Sequence, residues 1–114
     1  MTSSASRTRR LPPIHPGTIL RSEFLEEMRL SQNRLAREIS VPPKRINEII
    51  HGKRSITADT ALRLARRFGT SPQFWMSLQA QFDIETAQDA LRGRLNREVR
   101  LPSRGKRASP RAAA

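Results

Sequence analysis

The chain has 114 residues, with 22 Lys or Arg against 10 Asp or Glu and a formal charge of +12, and its length suits one small domain. It has no Cys, which excludes disulfides, thiolate metal sites and a cysteine nucleophile. No apolar run exceeds three residues, far short of the ~20 that a membrane helix requires.

The charge is unevenly placed: +3 on residues 1–10, +7 on 92–114 and only +2 on 11–91, where 31–57 alone holds +4. Residues 1–10 are rich in Ser and Arg but have no apolar segment, so they read as a disordered basic tail and not as a secretory signal. The boundaries expected are a tail over 1–12, a folded domain over 13–90 and a basic, mostly disordered extension over 91–114.

Pro and Gly divide the middle into short helical segments, and no stretch alternates with period two. His15-Pro16-Gly17 opens a first helix from about Thr18 to Met28, with His15 ordering its entry. Its apolar stripe is Ile19, Leu20, Phe24 and Met28, while Glu23, Glu26 and Glu27 face away. Ser31 is placed to cap a second helix over Gln32 to Ile39, with Leu35, Ala36 and Ile39 inward. Pro43 suits the first turn of a third, ending near Ile50 before Gly52, with Ile46, Ile49 and Ile50 inward. Thr57 can cap a fourth, Ala58 to Phe68, on a stripe of Ala61, Leu62, Ala65 and Phe68, and Gly69 stops it. Ser71-Pro72 opens a fifth, with Phe74, Trp75, Leu78 and Phe82 apolar and read as core. A sixth, weaker helix runs beyond Asp83 to about Leu95 on Ile84, Ala87, Leu91 and Leu95. From Leu101 the composition predicts disorder.

The second and third segments carry the functional signal. A helix-turn-helix needs a small residue five places from its start, where two helices cross closely. It needs a tight turn at the ninth place and branched apolar residues at the fifteenth and eighteenth. Counting from Gln32, those places hold Ala36, Ser40, Ile46 and Ile49. Ser40 stands where Gly is usual. The outer face of the third helix then offers Lys44, Arg45, Asn47 and Glu48 for base edges in a major groove. Ser31 and Gln32, at a helix N-terminus, and Lys53 and Arg54, in the following loop, suit phosphates. The plainer alternative, a solvated basic face, fits any one of these residues but not their concentration on a matched core spacing.

Several linked motifs make the likeness specific. They are Ile14-His15-Pro16-Gly17, Leu30-Ser31-Gln32, the run Val41 to Ile49, Gly52-Lys53-Arg54, the run Ile56 to Ala65, and the run Phe68 to Trp75. Together they make residues 12–90 resemble the HigA family of antitoxins, which carry a phage-repressor-like (Cro/cI, Xre-type) helix-turn-helix domain. The resemblance implies an all-α, five-helix domain, here with a sixth C-terminal helix and basic tails. It also implies a cytoplasmic, dimeric repressor of its own toxin–antitoxin operon. Its partners would be double-stranded DNA with a palindromic operator and a HigB-type, mRNA-cleaving toxin. Half-sites about one DNA turn apart fit a dimer.

Two separated histidines, His15 and His51, predict no metal site, and no Ser/His/acid set or phosphate loop predicts catalysis or a cofactor. An RNase that binds a polyanion should be basic, so its inhibitor should meet it with acid. That makes Glu23, Glu26 and Glu27, with Asp83, Glu85 and Asp89, the expected toxin contacts, against the reading that they only solubilise outer faces. The rivals are a stand-alone repressor without a toxin, separable by the neighbouring gene, and a non-specific DNA-compacting protein, separable by sequence preference. An enzyme is the weakest.

Overall fold

A computed structural model describes residues 11–103, and these are helical without a strand. The first helix, α1, is one rod in three parts: Pro16–Ile19, a π-helical stretch Leu20–Leu25, and Glu26–Met28. It is followed by α2 (Gln32–Ile39), α3 (Pro43–Ile50), α4 (Ala58–Phe68), α5 (Pro72–Ala90) and α6 (Arg94–Glu98).

Local chemistry explains most of these bounds. His15 Nδ1 accepts from the backbone N–H of Gly17 at 2.9 Å, so the expected role of His15 at the entry to α1 holds, although the helix starts two residues earlier than Thr18. Ser31, Thr57 and Ser71 hydroxyls accept from first-turn N–H groups of α2, α4 and α5. Arg29, Ser40 and Gly69 end α1, α2 and α4 in the left-handed region. A side chain there costs about 1 kcal/mol relative to Gly, and Ser40 bears that cost at φ 59°.

The core gathers inner faces from all five long elements, with Leu20, Leu35, Ile46, Ile49, Ile56, Leu64 and Trp75 fully enclosed. The Trp75 indole donates to Thr70 Oγ1 at 2.8 Å, which satisfies its one polar atom. Gln79 is also buried. Its Oε1 accepts from the Ile56 backbone N–H at 2.7 Å and its Nε2 donates to Asp83 Oδ1 at 3.0 Å. The bond to Ile56 ties α5 to the loop entering α4. On the outside, Glu38 of α2 accepts from Arg34 at 2.9 Å and from Arg67 of α4 at 2.6 Å.

Four expectations need correction. The stripe of α1 shifts, because the π-helical stretch advances the register by one residue. Leu20 and Leu25 are buried, Phe24 is partly so, and Met28 is 47% exposed. In α4, Leu64 takes the inner place expected for Leu62, which is 59% exposed. The expected fifth and sixth helices are one rod through Asp83, and the chain breaks only in the turn over residues 91–93 before the short α6. Phe74 is 38% exposed, so it edges the aromatic cluster instead of sitting inside it. Ile84 and Leu95, whose packing the sequence leaves open between the domain itself, a dimer and a toxin, are exposed. Of the expected tails over 1–12 and 91–114, residues 1–10 and 104–114 fall outside the described residues.

Candidate nucleic-acid interface

Ala36 has no exposed surface, and Ile46 and Ile49 are equally enclosed, so α2 and α3 cross tightly through the turn at Ser40. With Ile46, Ile49 and Ile50 fixing the inner face, a step of about 100° per residue puts Lys44, Glu48 and His51 on the opposite one. Asn47 falls at one margin between the two, on the side of Gln32, and Arg45 at the other, on the side of Asp59.

The structure brings most of the expected residues into one cluster. Asn47 Nδ2 donates to Gln32 Oε1 at 3.1 Å, which joins the first residue of α2 to the edge of the outer face of α3. Glu48 accepts from Arg54 Nε at 2.8 Å, and Lys44 Nζ lies 3.9 Å from its other oxygen. The Arg54 hydrogen bond holds the Glu48 carboxyl below its ordinary pKa, with Arg54, Lys44 and Lys53 charges adding to the effect. The Lys53 backbone N–H closes the end of α3 on the Glu48 carbonyl at 2.8 Å, so the loop folds back to deliver Arg54. Lys53 and Ser31 flank the cluster, both exposed. The Ser31 hydroxyl is already used as the α2 cap, accepting from the Arg34 backbone N–H at 3.0 Å.

Arg45 stands apart from this cluster. Its guanidinium is half-buried and donates to Asp59 Oδ2 of α4 at 3.1 Å. Asp59 accepts again from Arg63 Nε, at 3.1 and 3.2 Å to its two oxygens. The Arg63 bond, with Arg45 behind it, holds the Asp59 carboxyl below its ordinary pKa.

Sequence reasoning missed Asp59, Arg63 and Gln79. Asp59 and Arg63 are spaced four apart on one helix, a signal that could have paired them. Nothing local announces the contact of Arg45 with a residue 14 places away. Amides, a lysine and an arginine gathered around one exposed helix face can contact base edges and phosphates together.

The acidic candidates are less concentrated. Glu23, Glu26 and Glu27 are exposed on α1, with Glu26 accepting from Arg21 at 2.8 Å. Asp83 is engaged with Gln79, Glu85 accepts from Gln81, and Asp89 lies 3.5 Å from Arg92. Among the described residues no group of His, Asp and Glu could hold a metal ion, and no helix is long and apolar enough to cross a membrane.

Comparison with known proteins bears on the same region. A helix-turn-helix family model matches residues 22–75. Virulence-associated protein I of Dichelobacter nodosus is 51% identical over 78 residues, 68% of this chain and 72% of that one. Antitoxin HigA-1 of Vibrio cholerae is 33% identical over 72 residues, 63% of this chain and 68% of that one. Among solved structures, the Pseudomonas aeruginosa antitoxin HigA with the higBA promoter superposes with a TM-score of 0.75 at 45% identity. It covers 77% of this chain and 96% of that one.

Proposed function

The chain belongs to the HigA family of helix-turn-helix proteins, and on that premise we propose that it is the antitoxin of a toxin–antitoxin module. It binds a palindromic operator as a homodimer and represses its own operon. It also binds and neutralises a HigB-type, mRNA-cleaving toxin. It acts in the cytoplasm, at the nucleoid when on its operator.

The observation that supports this best is the Gln32–Asn47 bond across the helix-turn-helix, beside Lys44, Glu48 and Arg54 on one exposed face. A solved relative of the same fold carries a promoter. Lys44, Asn47 and Glu48 are assigned to base edges, and Ser31, Gln32, Lys53 and Arg54 to phosphates. Arg45 is left out of the base-reading set because Asp59 engages its guanidinium. The toxin is assigned to the acidic surfaces of α1 and α5, at Glu23, Glu26, Glu27, Asp83 and Glu85, where a basic RNase finds opposite charge.

The test is to pull the tagged full-length chain from its native cell and footprint DNA with the recovered complex. A small basic RNase together with a palindromic footprint at the chain's own promoter is the expected result. The same footprint without an RNase would make it a stand-alone repressor. Protection without sequence preference would overturn both.

A further inference from the structure

Helices α1, α2, α4 and α5 each open on a side chain that accepts from the first-turn backbone: His15, Ser31, Thr57 and Ser71. The recognition helix α3 does not. It opens on Pro42-Pro43 with no side-chain cap. Its N-terminal end, which sets the aim of a groove-reading helix, is therefore started by proline backbone and not by the side-chain hydrogen bond that its neighbours have.

The side-chain tie to this end comes instead from α4. Asp59, in the first turn of α4, accepts from Arg45 in the first turn of α3 and from Arg63 one turn further along α4. Arg63 Nη1 also donates to the carbonyl of Ile39, the last residue of α2, at 3.0 Å. Two arginines and one carboxylate thus join the end of α2, the start of α3 and the start of α4 around the helix-turn-helix turn. We propose that Asp59 is a positioning residue for DNA readout, setting through Arg45 the angle at which α3 meets the groove. The proposal rests on the DNA-reading function given above.

Two physical points separate this role from an ordinary surface charge. Exposed ion pairs contribute little stability, and the Asp59 side chain is 57% exposed, so its replacement should leave the fold intact. On charge alone, a carboxylate beside a helix that approaches a polyanion only weakens binding, and its removal should tighten binding to every duplex alike. The two roles predict opposite signs for the operator.

The experiment is Asp59→Asn in the full-length chain, with affinity measured for its own promoter duplex and for a scrambled duplex of equal length, beside a thermal melt. We expect scrambled DNA to bind as well as before or better. Operator binding should weaken about threefold, which is within what an exposed ion pair can hold, and the melting temperature should move only a few degrees. Asp59→Glu, which keeps the carboxylate, should retain most of the discrimination. Equal tightening on both duplexes would overturn the proposal. If Asp59→Asn melts far lower, Asp59→Glu decides: melting recovered without discrimination overturns it, and both recovered together support it. A wild-type chain with no operator preference would overturn the DNA-reading function and this role with it.

Discussion

Gly17 shows how tightly one residue can constrain the recognition helix. A Cβ built there would sit 1.8 Å from the carbonyl oxygen of Ile49 and 2.6 Å from its carbon. The obstacle is backbone in α3, which cannot rotate away as a side chain can. Gly17→Ala must therefore push α1 off the end of α3, a cost at or above the roughly 1–3 kcal/mol of ordinary overpacking. Chemical denaturation should register that loss, with operator affinity falling as well because α3 is displaced. A variant of wild-type stability would show that the two helices part without cost. His-Pro-Gly is legible in the sequence as a helix opening, but the reason for its glycine lies on α3, at Ile49.

His15 makes a pH prediction. Burial pushes its pKa below the ordinary 6.5, against a hydrogen bond to the Arg54 backbone and the charge of Asp83, which both raise it. The native state thus holds fewer protons than the unfolded chain between that lowered value and about 6.5. Stability is complete above about pH 6.5 and falls as the pH drops through that window. Protonation would also take Nδ1 from the Gly17 N–H it caps. Glu38, Glu48 and Asp59 are all lowered by arginine hydrogen bonds, so their losses begin only within the ordinary carboxylate range, below the pH at which the His15 slope sets in. Melts between about pH 5 and 7 should show the slope in wild type and not in His15→Asn, whose amide can still cap. An equal slope in both would remove His15 from the account.

At the level of elements, the segments read correctly from sequence are those whose ends are set locally. α2, α3 and α4 open on a capping hydroxyl or a proline, and α2 and α4 close on a left-handed residue, all adjacent to the helix they bound. The misread segments depend on packing. The π-helical stretch that turns Leu25 inward has no local signature, since its wider register is chosen by what the rod packs against. Asp83 reads as a break in the sequence, but its carboxylate accepts from Gln79 one turn earlier and supports a continuous α5. The candidate DNA site divides in the same way. Spacing along α2 and α3 is enough to place Gln32, Lys44, Asn47 and Glu48, whereas the Asp59 partner of Arg45 sits on another helix. Gln79 is the sharper element-scale test. Gln79→Ala leaves the buried Ile56 N–H without its acceptor, which costs about 1–3 kcal/mol, and opens a space between α4 and α5. Denaturant midpoints should fall accordingly, and amide exchange at Ile56 should accelerate more than at α2. Uniform acceleration would mean that the bond is not a local tie.

For the whole molecule, most of the charge is outside the helix-turn-helix. The segment 31–57 carries +4, while residues 104–114 alone hold four basic residues and no acid. Charges that neutralise phosphates add affinity and steepen the salt dependence, but they carry no sequence information. The readout of base edges proposed above rests on the face of α3, with its amide pair and anchored carboxylate. Removing residues 104–114 should therefore lower the slope of log affinity against log salt by roughly 0.9 for each phosphate no longer neutralised. The ratio of operator to scrambled-duplex affinity at one fixed salt concentration should stay constant. A ratio that collapses with the truncation would place sequence readout in the basic extension. It would also require the +4 on 31–57 to be reassigned from choosing a site to holding the DNA backbone.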